Sequence, residues 1–190
     1  MNGSNRGGVA AFTLLAFATP AAAAMTVERL EVGEDGTHYS VTFEARLQAP
    51  PAAVMRVLQD YADYPALDAR ILESQVTSAA SGERVLYTLL RGCVGSVFCR
   101  DMARYERLAE SDRLLVAEAI PGRGDLASGR TETRIEHDGM GSRVIYRSVF
   151  EPAFWMPHWL VRSAMQRMLE DGTRNMFENV ERKAQEAPSP

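Results

Sequence analysis

The chain has 190 residues, of which 46% are hydrophobic and 24% are charged, and its formal net charge is −4. This length suits one domain with a hydrophobic core and is short for two, and the composition excludes an intrinsically disordered chain. A mildly acidic chain without a Lys/Arg-rich run lacks the basic stripe of nucleic-acid-binding proteins, so we expect no nucleic-acid partner.

The first 24 residues have the organisation of a secretory signal peptide. Arg6 precedes a short apolar stretch over residues 9–18, and small residues follow up to Ala24; this order of regions is typical of a cleavable signal. The apolar stretch is too short to span a bilayer comfortably, and the alternative is a buried N-terminal helix. We therefore predict a signal peptide over residues 1–24 and export to the bacterial periplasm.

The mature chain begins with a predicted hairpin and a helix. Apolar and polar residues alternate over residues 38–47, which indicates a strand with one buried face. The turn residues at 34–37 make residues 26–33 its partner strand. Pro50 and Pro51 then begin a helix, since proline suits the first helical turn, and a second short helix is predicted over residues 62–67.

Six further strands are predicted, because short apolar segments alternate with turn signals. They cover residues 71–77, 84–93, 99–108, 113–120, 126–136 and 143–150. Strands this close in sequence are joined by hairpins, so we expect an antiparallel meander.

The two cysteines, Cys93 and Cys99, fall on either side of one of these hairpin turns. In an exported protein such a pair is typical of a disulfide, and the alternative is two buried free thiols. Two thiols without a nearby His or third Cys do not complete a tetrahedral shell. We expect neither a metal site nor a cofactor.

A long helix over residues 157–184 closes the chain, and residues 187–190 form a predicted disordered tail. An apolar stripe recurs along this helix at helical spacing, formed by Val161, Met165, Met168, Gly172, Met176 and Val180. The predicted fold is α+β, with a curved antiparallel sheet wrapped around the long C-terminal helix, which leaves room for a cavity between the two layers.

Three stretches of the sequence resemble the START-like superfamily. They are the helix and turn over residues 48–65, the loop at residues 125–129, and the last strand with the aromatic segment after it, residues 141–157. The nearest branch resembles the polyketide cyclase/dehydrase and lipid-transport proteins, including the coenzyme Q-binding proteins. The resemblance implies a helix-grip fold over residues 25–186 that encloses an apolar ligand.

The predicted cavity has two walls. The helix stripe Val161, Met165, Met168, Gly172 and Met176 forms one wall, and the sheet offers Tyr87, Arg91, Tyr105, Val116, Glu118 and Tyr146 from the other. If these strand faces are concave, Arg91 and Glu118 pair with each other or hold a polar ligand group; if the faces are reversed, both are solvated. We expect a volume of several hundred Å³, with Gly172 at its centre. Gly172→Leu should then block binding at little cost in stability.

No catalytic constellation is evident. The three histidines, His38, His137 and His158, lie on different predicted elements and lack the spacing of metal ligands. Trp155 and Trp159 lie where the last strand meets the helix, and they either pack in the core or form an apolar lip for a membrane or a partner.

Three functions follow from this sequence. The first is a periplasmic protein that binds or carries a lipid or other apolar molecule. The second is a cyclase- or hydrolase-type enzyme in which Glu118, Arg91 or His137 acts on an apolar substrate. The third is a module that regulates a membrane complex through the Trp155–Trp159 surface. The lack of a catalytic constellation favours the carrier.

Overall fold

The computed structural model describes residues 24–78, 82–94, 98–155 and 158–186. The predicted tail and all of the predicted signal peptide except Ala24 lie outside these ranges, so both stay predictions. Within the described residues, no helix is long and apolar enough to cross a membrane.

A single antiparallel sheet of eight strands forms one layer of the domain, in the order β1-β2-β8-β7-β6-β5-β4-β3. The strands are β1 (Thr26–Asp35), β2 (His38–Leu47), β3 (Ile71–Ser78), β4 (Arg84–Val94), β5 (Phe98–Glu110), β6 (Leu114–Gly124), β7 (Leu126–Asp138) and β8 (Gly141–Pro152). Strands β3 to β8 form the predicted meander. The sheet is curved, and its concave face carries the helices, as the α+β helix-grip prediction required.

The alternation in β2 sets the two faces of the sheet, because successive strand residues point to opposite sides. The predicted apolar residues of β2 are all buried: Tyr39, Val41, Phe43, Ala45 and Leu47. In register with them, β8 places Ser148 opposite Val41 and Tyr146 opposite Phe43. These rows define the concave face that lies under the long helix.

In the part of the chain that the structure describes, three helices accompany the sheet: α1 (Pro51–Gln59), α2 (Tyr64–Leu67) and α3 (His158–Glu186), with a 3-10 turn at Tyr61–Asp63. Phe177 of α3 stacks on Phe43 with 4.9 Å between ring centroids and meets the edge of Tyr146 at 5.5 Å. The C-terminal half of α3 is therefore packed in a solid core, in which Phe177, Val180 and Ala184 are buried.

Two contacts attach α3 to the helical segment before β3. Asn179 donates a hydrogen bond to the carbonyl of Leu67 at 3.0 Å, and Lys183 forms an ion pair with Asp63. Because both lie toward the C-terminal half of α3, they hold that half in place, while the preceding half covers the cavity described below.

The predicted disulfide between Cys93 and Cys99 is present. The two residues are paired in register near the ends of β4 and β5. The bond therefore closes the tip of this hairpin, whose residues 95–97 lie outside the described part of the chain.

Candidate functional site

A cavity of about 190 Å³ lies between the concave face of the sheet and the N-terminal half of α3. It is smaller than the several hundred Å³ expected from the sequence. Strands β4, β5 and β6 contribute much of its apolar sheet wall, with Leu86, Leu90, Met102, Leu108, Leu115 and Ala117. From α3, the cavity is lined by Met165, Met168, Leu169, Gly172, Thr173 and Met176.

A polar cluster interrupts the apolar sheet wall, and its centre is an ion pair. Arg104 Nη2 donates to Glu106 Oε1 at 2.6 Å, and the two side chains are 24% and 3% exposed. Two residues apart on β5, both point to the concave face. Burial acts to lower the pKa of Arg104, but the charge of Glu106 and the hydrogen bond to it outweigh this effect, and the pKa is raised.

Hydroxyl groups from the neighbouring strands extend this cluster. Thr131 and Ser148 are hydrogen-bonded to each other at 2.9 Å, and Thr88 lies opposite Arg104 in the register of β4 with β5. Burial raises the pKa of Tyr146, which lies beside these groups, although Arg104 acts in the opposite direction. Tyr146 therefore stays protonated at neutral pH, and the cluster offers hydroxyl groups but no further charge.

Two more tyrosines border the cavity from the 3-10 turn and from α2. Tyr61 donates a 2.5 Å hydrogen bond to Glu110, which also forms an ion pair with Arg84. Tyr64 donates to the carbonyl of Leu58 at 2.8 Å. Since the protein itself uses these hydroxyls, this part of the cavity wall is held rigidly.

Arg70 occupies the wall between α2 and α3. Its guanidinium contacts Asp68 Oδ2 at 2.5 Å and donates to the carbonyl oxygen of Met168. A Cβ atom on Gly172 would overlap this guanidinium. The expectation that Gly172 leaves space for a ligand is therefore wrong, because Arg70 fills the space beside it.

Seven of the residues that the sequence assigned to the cavity border it: Arg91, Val116, Tyr146, Met165, Met168, Gly172 and Met176. Val161 and Trp159 lie in α3, but their side chains are outside the described part of the structure. Whether the bordering residues bind a ligand stays a prediction.

Three assigned sheet residues, Tyr87, Tyr105 and Glu118, are absent from the cavity lining and lie on the convex face, so their predicted orientation is wrong. Tyr87 and Tyr105 pack against each other there, with 5.0 Å between ring centroids. The side chain of Glu118 is 60% exposed, 4.0 Å from Arg130. Arg91 borders the cavity, but its guanidinium turns outward to Asp101 at 2.6 Å. Both faces of β4 and β6 are apolar over several residues. The alternation of apolar and polar residues therefore did not show which face of these strands is concave.

Two residues of the assigned lip and enzyme sites lie away from the cavity lining. Trp155 is 83% exposed after the end of β8. His137 is paired with Ser142 near the β7–β8 turn. The structure therefore does not bring His137, Glu118 and the Arg91 guanidinium together at the cavity.

Sequence reasoning missed Arg104 and Glu106, the ion pair in the sheet wall of the cavity. Their spacing held a signal, since residues i and i+2 of a strand share a face and an Arg-x-Glu pair can neutralise itself there. Tyr105 lies between them and Ala103 lies beside them. Because both are apolar, they suggested that the other face of β5 is the buried one.

Within the described ranges, no group of His, Cys, Asp and Glu side chains could hold a metal ion.

Comparison with known proteins gives a family and a fold. The family described as polyketide cyclase / dehydrase and lipid transport matches residues 38–185. No curated protein sequence matches the chain.

Solved structures share this fold at low sequence identity. A protein from Thermus thermophilus superposes with a TM-score of 0.65 at 16% identity, covering 79% of this chain and 99% of that one. The Zhui aromatase/cyclase from Streptomyces gives 0.61 at 14%, covering 78% and 94%. A STAR-related lipid transfer protein from Xanthomonas axonopodis gives 0.57 at 15%, covering 82% and 98%.

Proposed function

Since the chain belongs to the polyketide cyclase / dehydrase and lipid transport family, we propose that it binds a lipid or similar apolar molecule in the cavity under α3 and carries it through the periplasm. The observation that carries this proposal is the cavity itself. Its wall is largely apolar, with a limited number of polar side chains of which the cluster around Arg104 is the largest group, and this arrangement is typical of sites for small apolar ligands. Export rests on the signal-peptide pattern, and the Cys93–Cys99 disulfide supports an oxidising compartment.

The enzyme alternative has weaker support. A general acid or base must reach the substrate within hydrogen-bond distance, and the three residues assigned to this role do not meet in the cavity. Glu106 is inside, but its carboxylate is held in an ion pair, with Oε1 accepting a hydrogen bond from Arg104 at 2.6 Å. The similarity to an aromatase/cyclase concerns the fold, and fold alone does not imply an activity.

A pair of matched variants tests the carrier. Ala117 borders the cavity, so Ala117→Phe should fill it and abolish uptake of a fluorescent long-chain ester followed by titration. Ala109→Phe places the same ring at an exposed position of β5 and should leave uptake unchanged. Equal uptake by both variants, with folding verified by circular dichroism, would exclude this cavity as the binding site.

The natural ligand can be sought directly. Native mass spectrometry of the protein from its host's periplasm should reveal a bound lipid mass that is absent from Ala117→Phe. Recovery of the protein only from the cytoplasm would refute the periplasmic part of the proposal.

A further inference from the structure

We propose that the cavity selects electrically neutral ligands: apolar molecules whose polar group is a hydrogen-bond acceptor, such as an ester, ketone or quinone carbonyl. Fatty acids and alkylamines of the same chain length should bind much more weakly. This inference rests on the proposed function and names the chemical class of its ligand.

The first observation is that each charged residue bordering the cavity has a partner of opposite charge. Arg104 is paired with Glu106 at 2.6 Å, and Arg70 with Asp68 at 2.5 Å. Arg91 is paired with Asp101 at 2.6 Å on the outer side of the wall. No other charged side chain borders the cavity among the described residues. The wall therefore carries no net charge.

An ionised ligand group would lack a counter-ion in such a cavity. Moving a charge from water into an apolar space is unfavourable unless an opposite charge is present there to pair with it. A carboxylate beside Arg104 would also lie close to Glu106, and an ammonium beside Glu106 would lie close to Arg104. Both like-charge contacts oppose binding, and a neutral group meets neither.

The second observation is that the polar cluster has hydrogen-bond donors to spare. A guanidinium has five N–H groups and no acceptor, and Glu106 accepts from Nη2. Nε of Arg104 is buried without a hydrogen-bond partner within the described residues. The side chain is 24% exposed, and its place on the concave face turns that part toward the cavity. A carbonyl oxygen can accept from the N–H groups there without disturbing the ion pair.

Three probes with the same chain test this selectivity at neutral pH: methyl dodecanoate, dodecanoate and dodecylamine. Each competes against a fluorescent long-chain methyl ester. We expect the ester to bind at least about tenfold more tightly than either ion, in line with the cost of burying an unpaired charge. Binding of dodecanoate or dodecylamine as tight as that of the ester would overturn the proposal.

A charge variant should shift this preference in a known direction. Glu106→Gln leaves Arg104 unpaired, so the cavity becomes positive and dodecanoate should gain at least about tenfold relative to the ester. Glu118→Gln removes the same charge on the convex face and should leave the ratio unchanged. An unchanged ratio in folded Glu106→Gln would also refute the proposal; if that variant does not fold, the unmodified protein decides alone. Failure of all three probes would instead contradict the proposed function.

Discussion

Arg70 lies directly against the backbone of α3 at Gly172, where a side chain would overlap its guanidinium. The same guanidinium donates to the Met168 carbonyl one helical turn earlier and contacts Asp68. Glycine in a helix interior lowers stability relative to alanine, so its presence here has a local cause. Gly172 lets Arg70 fasten α2 and β3 to the part of α3 that covers the cavity.

A double-mutant cycle should show this coupling. In an Arg70→Ala background, Gly172→Ala should stabilise the protein by about 1 kcal/mol through helix propensity. With Arg70 present, the gain should vanish or reverse, since the new methyl group displaces the guanidinium from Met168. Urea unfolding of the four proteins measures the free energies. Additivity within about 0.5 kcal/mol would contradict the coupling.

The disulfide should stabilise the hairpin tip without determining the fold. Closing so short a loop contributes about 2 kcal/mol in the chain-entropy model, so Cys93→Ser/Cys99→Ser should unfold at lower urea concentration with unchanged circular dichroism. Thiol labelling of the unfolded, unreduced protein should find no reactive thiol. A reductant should destabilise the unmodified protein and leave the double variant unaffected; an equal response would rule out the bond.

Alkaline pH should destabilise the protein through its buried tyrosines. Burial raises the pKa of Tyr64 well above its ordinary value and that of Tyr61 to about 12. The unfolded chain, with a tyrosine pKa of about 10, releases these protons first, so it binds fewer protons than the folded chain. Stability is then fully present below about pH 10 and falls as the pH rises further.

Substitution of Tyr64 tests this mechanism. Tyr64→Phe should flatten the decline of unfolding free energy between about pH 9 and pH 12. At neutral pH it should cost about 1 kcal/mol, because the hydrogen bond to the Leu58 carbonyl is lost. Urea unfolding across this pH range gives both quantities, and a decline as steep as in the unmodified protein would argue against Tyr64 as its source.

The sequence predicted the architecture well where one pattern dominated. The strict alternation of β2 and the proline start of α1 gave both elements within a residue, and Cys93 and Cys99 gave the register of the β4–β5 hairpin. The cavity wall was harder to predict, because its strands carry apolar residues on both faces. Tyr87 and Tyr105 cover each other on the convex face, a cross-strand pairing that hydrophobicity alone does not distinguish from burial in a core.

The position of Arg70 also depended on tertiary structure. It lies about a hundred residues before Gly172 in the chain, and only the packing of α2 and the segment after it against α3 brings the two together. The ion pairs that balance the charge of the cavity wall are local in sequence, but which strand face is concave, and therefore which of these pairs border the cavity, depends on the tertiary structure.

Glu181 links the last helix to both ends of the first hairpin. It is 6% exposed, and its carboxylate accepts hydrogen bonds from the backbone nitrogens of Met25 at 2.8 Å and Gln48 at 2.7 Å. The predicted signal cleavage, after Ala24, would make the Met25 nitrogen the amino terminus of the mature chain. That nitrogen would then be an ammonium group, so its hydrogen bond to the carboxylate would also become an ion pair between opposite charges.

Processing should therefore strengthen the contact between Met25 and Glu181. Glu181→Gln should cost about 1 kcal/mol more in a chain that starts at Met25 than in one that starts at Ala24, where the same nitrogen is an amide. The two chains differ by one exposed residue, so each controls for the other, and urea unfolding of all four proteins gives the difference. Equal costs would mean that the new terminus does not pair with Glu181. A mature protein whose intact mass places its first residue elsewhere would remove the premise, because Met25 would then never carry a charge.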